Sequence, residues 1–280
     1  MLQRVFLLLF LALFVMPAYA AGKDSVFDRV MKTGVLHCGY WNWEPLYIID
    51  ANTKETSGIF KDVMTEFARV SGLKVEWIAE VHFENLVTDL NSGKLDAVCA
   101  GAWSSALRAK FIRFSRPVFY IAMNAYKRAG DARFDGRPQD INKPGVTAVV
   151  MDGEMSSEIR NSDFPDSKIL SIPQMAGSGT ELLMNVATGK ADVTFTDAVN
   201  GAQFMKANPG KIQPVKMDMP LRLMPNTIAV AGDEERLQDF INTGLLELQN
   251  SGVFEKILKK YDAAYPGVLV RVAQPYASAP

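Results

Sequence analysis

The groups able to do covalent or metal chemistry are few in this chain. Two histidines, His37 and His82, and two cysteines, Cys38 and Cys99, serve 280 residues. Their neighbours do not give metal-ligand spacing, so no metal site is expected even though His37 stands beside Cys38. The motifs that carry a mechanism are absent: no H-E-x-x-H, no G-x-S-x-G, no G-x-x-x-x-G-K-S/T and no C-x-x-C. Gly177-Ser178-Gly179 lacks the third glycine of a dinucleotide loop and reads as a turn before a helix. No cofactor is implied. What remains is noncovalent chemistry. Ser104 or Ser105 can cap a helix whose first turn carries Arg108, and free N–H groups beside a guanidinium would hold a carboxylate by charge-assisted hydrogen bonds. Asp197 offers the opposite charge from a second region of the chain.

These residues need elements to hold them. Short apolar runs alternate with amphipathic segments, the cadence of strand-helix-strand units around a mainly parallel sheet. Strands are expected at 34–39, 73–78 and 95–100, and helices at 60–70, 83–90, 237–248 and 253–261. The stretch 128–145, rich in Gly, Asp, Pro and Arg, reads as surface loop, and 266–280 as an extended surface tail. A weak internal repeat relates NSGKLDAV at 91–98 to ATGKADVT at 187–194. In each copy a glycine ends a helix and an Asp, Asp96 or Asp192, opens an apolar strand, with Gly101 and Asp197 five residues further on. Two similar α/β lobes would produce this, with a ligand beyond the carboxyl ends of the strands.

Length and composition agree. A chain of 280 residues suits two domains, and 48% hydrophobic with 22% charged residues is ordinary for a folded protein. A net charge of -1 lacks the Lys and Arg excess of a nucleic-acid binder. At the start, Gln3 and Arg4 precede an apolar run over 5–16 and then Ala18-Tyr19-Ala20, which reads as a secretory signal over 1–20 cleaved after Ala20. An exporting signal places the mature chain where disulfides persist, yet two thiols on buried strands also pack as small hydrophobes, so pairing of Cys38 with Cys99 stays open.

Several stretches, taken in order, resemble the bacterial extracellular solute-binding proteins of family 3, which serve ABC importers of polar amino acids. They are GYWNWEPLY at 39–47, NSGKLDAVCAG at 91–101, Arg108-Ala109-Lys110, Phe114-Ser115-Arg116-Pro117, Gly189 to Asp192, Asp197, and Asn250 to Ile257. The resemblance implies a two-lobed periplasmic binding protein fold of type II, α/β in each lobe. Lobe 1 would hold 24–118 plus 226–265 and lobe 2 would hold 119–225, joined by hinge strands near 118–122 and 222–226. It implies a periplasmic, monomeric, non-catalytic protein that closes on an amino acid or similar zwitterion and delivers it to an ABC permease. By the same resemblance Arg108 would bind the ligand's carboxylate, Asp197 its ammonium, and Trp43 would pack on its side chain, with Gly101, Trp103 and Ser105 completing the carboxylate side. Tyr40 and Tyr47 share the loop of Trp43 and are candidate pocket lining, as is Met155.

The sequence departs from the family pattern at two places. Trp103 stands where a Ser or Thr hydroxyl is usual, and Gly153-Glu154-Met155 replaces Gly-Thr-Thr. Glu154 either meets a cationic ligand group or stabilises the N-terminus of the next helix. Two rival functions follow: an enzyme on the same fold, similar to cyclohexadienyl dehydratases, with Glu154 or Glu181 as general acid, and a ligand-binding partner of a membrane sensor.

Overall fold

The structure is a computed structural model and describes residues 25–82, 85–173 and 178–273. The expected signal segment at 1–20 lies outside the described residues, as do 274–280 of the expected tail. Chain order begins with α1 (Val26–Thr33), β1 (Val35–Tyr40), a small hairpin of β2 (Ile48–Ile49) and β3 (Thr56–Ser57), and α2 (Ile59–Ser71). Next come β4 (Lys74–Glu80), α3 (Leu86–Asn91), β5 (Ala97–Trp103), β6 (Ile112–Phe114) and the long β7 (Phe119–Arg128). The second half contributes β8 (Thr147–Met151), α4 (Met155–Asp163), β9 (Lys168–Ile172), α5 (Ser178–Ala187), β10 (Val193–Asp197), α6 (Ala198–Ala207) and β11 (Ile212–Pro214). The chain then returns through β12 (Arg222–Ala231), α7 (Glu235–Asn250), α8 (Val253–Asp262) and β13 (Leu269–Arg271).

The strands run β4-β1-β5-β12-β7-β10-β8-β9, parallel within β4-β1-β5 and within β10-β8-β9. Between these two parallel sets lie β12 and β7, antiparallel to each other with Arg222 opposite Met123 and Asn226 opposite Phe119. Two α/β lobes therefore share one hydrogen-bonded path, and each buries apolar residues on both faces of its sheet, as parallel strands require. In the first lobe α2, α7 and α8 cover one face through Phe60, Met64, Phe67, Ile241, Leu245 and Leu258. Apolar residues recur at helical spacing on α2 and α7, and Gly72 ends α2 in the left-handed conformation, at φ 70°.

The internal repeat is a repeat of structure. Asp96 donates its N–H to the His37 carbonyl and accepts the His37 N–H on Oδ2 at 2.6 Å. Asp192 does the same to Thr147, with the Thr147 N–H bonded to Oδ2 at 2.8 Å. In both lobes this carboxylate ties the start of one parallel strand to the start of its neighbour, and an arginine neutralises it: Arg29 on Asp96, Arg133 on Asp192. The glycines ending the two preceding helices, Gly93 and Gly189, both take positive φ, 74° and 81°.

One open question is answered and two expectations need correction. Cys38 and Cys99, left open above, form a disulfide between β1 and β5 with a Cα–Cα distance of 5.5 Å. Cys38 pairs with Ala97, so Cys99 lies two residues along on the neighbouring strand, and both cysteines are fully buried. The tail is not all extended surface. Leu269–Arg271 pairs with Phe119–Ile121, because β10 covers that edge of β7 only over Met123–Lys127 and the apolar Val268 and Leu269 are buried by filling the remainder. Gly179, read as part of a turn, belongs to α5, where the lack of a side chain lets the Asn200 amide approach to within 2.9 Å of where its Cβ would sit.

Candidate functional site

β5 ends at Trp103, opposite Asn226 of β12, where the two long strands pass between the lobes. Just before this end the strand bulges. Ala102 pairs with Thr227 and Val98 with Ala229, so Cys99, Ala100 and Gly101 face a single residue of β12. Gly101 has φ +89°, and a Cβ there would lie 2.6 Å from the Phe60 ring and 2.7 Å from Leu46. Only glycine fits. The bulge re-aims the strand end, and Trp103 leaves it toward the second lobe, packing against the core that contains Met123 and Met224, beside Met155 and Leu221. Its ring meets Trp43 edge to face, centroids 5.3 Å apart. Trp43 is held by its own turn, its N–H donating to the Tyr47 carbonyl at 2.9 Å.

Beyond Trp103 the expected helix is a single 3-10 turn, Arg108–Lys110. Its N-cap residue is Leu107, with no side-chain cap, while Ser105 Oγ accepts the Arg108 N–H at 3.3 Å. A turn this short carries little macrodipole, so the positive character of the place is that of the Arg108 side chain. Arg108 is half-buried and donates from Nη1 to the Trp103 carbonyl at 3.3 Å. Burial lowers its pKa, and the charges of Glu154 and Glu158 on the second lobe oppose that shift. Glu154 is the N-cap residue of α4 and Met155 its first residue. The structure thus gathers Trp43, Trp103, Ser105, Arg108, Glu154 and Met155 around one place, from both lobes.

The remaining candidates are held by other contacts. Asp197 ends β10, is 3% exposed, and caps α6: Asn200 donates its backbone N–H to Oδ1 at 2.9 Å and its side-chain amide to Oδ2 at 2.6 Å. Burial raises its pKa to about 6, against the lowering effect of these hydrogen bonds. Tyr47 is enclosed, stacks on Tyr40 with centroids 4.9 Å apart and meets Trp77 at a tilt with centroids 4.4 Å apart, within the first lobe's second core. Tyr40 and Tyr47 therefore support the Trp43 loop from behind. Sequence reasoning passed over Asn200: an Asp at a helix start signals a cap, but nothing in the sequence marks the residue three further on as a side-chain donor to it. It also passed over a contact between lobes, in which Gln203 of α6 donates to the Glu44 carbonyl at 3.2 Å; within the first lobe Tyr265 donates to Glu44 Oε1 at 2.6 Å.

Two α/β lobes joined by paired long strands, with aromatic rings and an arginine where they face each other, define the architecture of the periplasmic binding proteins. The chain belongs to the bacterial extracellular solute-binding proteins, family 3, which it matches over residues 36–263. It is 22% identical over 211 residues to a protein named probable histidine-binding protein from Campylobacter jejuni, covering 74% of this chain and 77% of that one. Cyclohexadienyl dehydratase of Pseudomonas aeruginosa is 24% identical over 188 residues, 67% of this chain and 68% of the relative. Membrane-bound lytic murein transglycosylase F of Idiomarina loihiensis is 28% identical over 184 residues, 63% of this chain, which spans only 38% of that longer protein. Among solved structures, the ancestral amino acid-binding protein AncCDT-1, described as a precursor of cyclohexadienyl dehydratase, shares the fold with a TM-score of 0.67 at 24% identity, over 85% of this chain and 99% of the other.

Proposed function

We propose that this chain is a non-catalytic, monomeric solute-binding protein of the periplasm that closes on an amino acid or similar small zwitterion and delivers it to an ABC-type permease. The observation that carries the reading is Arg108, half-buried between Trp103 of its own lobe and the acidic start of α4 on the other. A guanidinium in that position is worth most to a carboxylate that enters as the lobes close. Asp197 supplies the anionic end for the ligand's ammonium, with Asn200 keeping its carboxylate in place. Trp43 packs on the ligand side chain, while Gly101, the Trp103 backbone and Ser105 frame the carboxylate, and Glu154 and Met155 close the site from the second lobe. Lobes of 24–118 plus 226–265 and of 119–225 would rotate about 118–122 and 222–226. Residues 1–20 would be removed on export.

The test is the melting temperature of the mature protein, stripped of carried-over ligand, against the twenty amino acids. A ligand that binds the native state alone at a thousand times its Kd adds about 4 kcal/mol. One amino acid or a small group should raise the melting temperature, and Arg108→Ala and Asp197→Ala should each remove the shift. The dehydratase relative supports a second reading, an enzyme acting on a cyclohexadienyl acid. Glu154 is then the better placed acid, since Glu181 is exposed on α5. Turnover of such an acid that Glu154→Gln abolishes would replace the first reading.

A further inference from the structure

Two buried polar atoms lie on residues that face each other across β5 and β12, and neither has a hydrogen-bond partner among the described residues: Trp103 Nε1 and Asn226 Oδ1. Asn226 is fully buried. Its Nδ2 donates to the Met224 carbonyl at 3.2 Å, and because a carbonyl only accepts, this contact fixes the amide's orientation and leaves Oδ1 as the unfilled atom. The Trp103 ring is fixed by Trp43 on one side and the second lobe's core on the other, so its N–H cannot turn away to find a partner. Buried side-chain polar atoms without partners are rare, and a donor and an acceptor left unfilled on cross-strand partners are complementary to one group that both accepts and donates.

We propose that Trp103 and Asn226 form a subsite for a neutral ligand group that accepts one hydrogen bond and donates another, such as a side-chain carboxamide. The proposal rests on the solute-binding reading above, since it takes the place between the lobes as the ligand's. The chemistry excludes the near alternatives. A carboxylate satisfies Nε1–H but sets an acceptor against Asn226 Oδ1. An ammonium satisfies Oδ1 but sets donors against Nε1–H, and an alkyl end fills neither.

Four amino acids of matched chain length separate these cases: glutamine, glutamate, ornithine and norvaline, titrated calorimetrically into the stripped mature protein. Glutamine should bind at least about tenfold tighter than each of the others, the scale of one buried hydrogen bond. Trp103→Phe keeps an aromatic ring and removes the N–H, and should cut the preference for glutamine over norvaline about tenfold. Asn226→Leu should act likewise from the other side, with its circular dichroism and melting temperature showing that it folds. Equal affinities for all four in the native protein, or a glutamine preference that survives Trp103→Phe, would overturn the subsite and leave the solute-binding reading intact. So would a glutamine complex in which a water joins the two atoms and the ligand's amide lies elsewhere. If no amino acid binds at all, the amino-acid reading fails and the subsite fails with it.

Discussion

At the scale of single residues, the site is built from charges whose strength depends on what surrounds them. Asp197 has an ordinary carboxylate value of 3.8 that burial raises to about 6. For a carboxyl raised in the folded state, the native protein takes up its proton at higher pH than the unfolded chain does. Its buried charge thus disfavours folding above about pH 6, and this penalty fades as pH falls toward 4. For ligand binding the sign is reversed: the ammonium needs the charged form. Affinity for a zwitterion should therefore fall as pH drops from 7 to 5, and Asp197→Asn should bind weakly with little pH dependence over that range. Calorimetry at four pH values decides it, and an unchanged pH profile in the variant would remove Asp197 from the site. Arg108 behaves differently, because a guanidinium stays charged at any pH in this range even when partly buried. Arg108→Lys keeps the charge and loses the fork, so binding should weaken about tenfold or more where Arg108→Ala loses more still.

Elements place these residues, and close approaches fix the elements. At Gly201 on α6 a Cβ would lie 2.0 Å from the Tyr126 hydroxyl oxygen, and that ring is 2% exposed and cannot swing out. Gly201→Ala should cost about 1–3 kcal/mol, seen as a lower melting temperature, and Tyr126→Phe in the same protein should restore little of it, because the ring carbons Cζ and Cε1 would still lie 2.1 and 2.5 Å from the added methyl. The paired carboxylates make a second test. Asp96 is more buried than Asp192, so Asp96→Ala should destabilise by about 3–5 kcal/mol and Asp192→Ala by less, measured by urea denaturation. Much of this layer was legible beforehand. Helices α2, α7 and α8 announce themselves through apolar spacing, and the glycine-lysine-aspartate junctions mark the lobes before any fold is known. The turn at Arg108 was not legible as such, because a Ser cap signals where a helix starts and carries nothing about how soon it stops. Asn226 was equally hidden. A polar residue in an apolar strand shows its meaning only when its cross-strand partner is known.

For the whole molecule, order depends on contacts between distant parts of the chain. The Cys38–Cys99 disulfide closes a separation of 61 residues within the first lobe, which corresponds to about 4 kcal/mol in the chain-entropy account. Protein purified without reductant should show no free thiol when denatured, and reduction should lower its urea midpoint with ligand specificity unchanged. Glu234, at the N-terminal end of α7, accepts the N–H groups of Val26 and Phe27 at 2.6 and 3.2 Å, so the start of α1 is secured by residues more than 200 positions away. β13 makes a comparable closure at the other end of the chain. It lies along Phe119–Ile121 of β7, the strand that also pairs with β12 between the lobes. Removed, it would leave bare backbone donors and acceptors next to an apolar surface, a template on which a second chain could add a strand. A protein shortened after Pro266 is therefore expected to aggregate on storage at concentrations where the full chain stays dispersed, and a purification tag belongs several residues beyond Arg271 rather than against it.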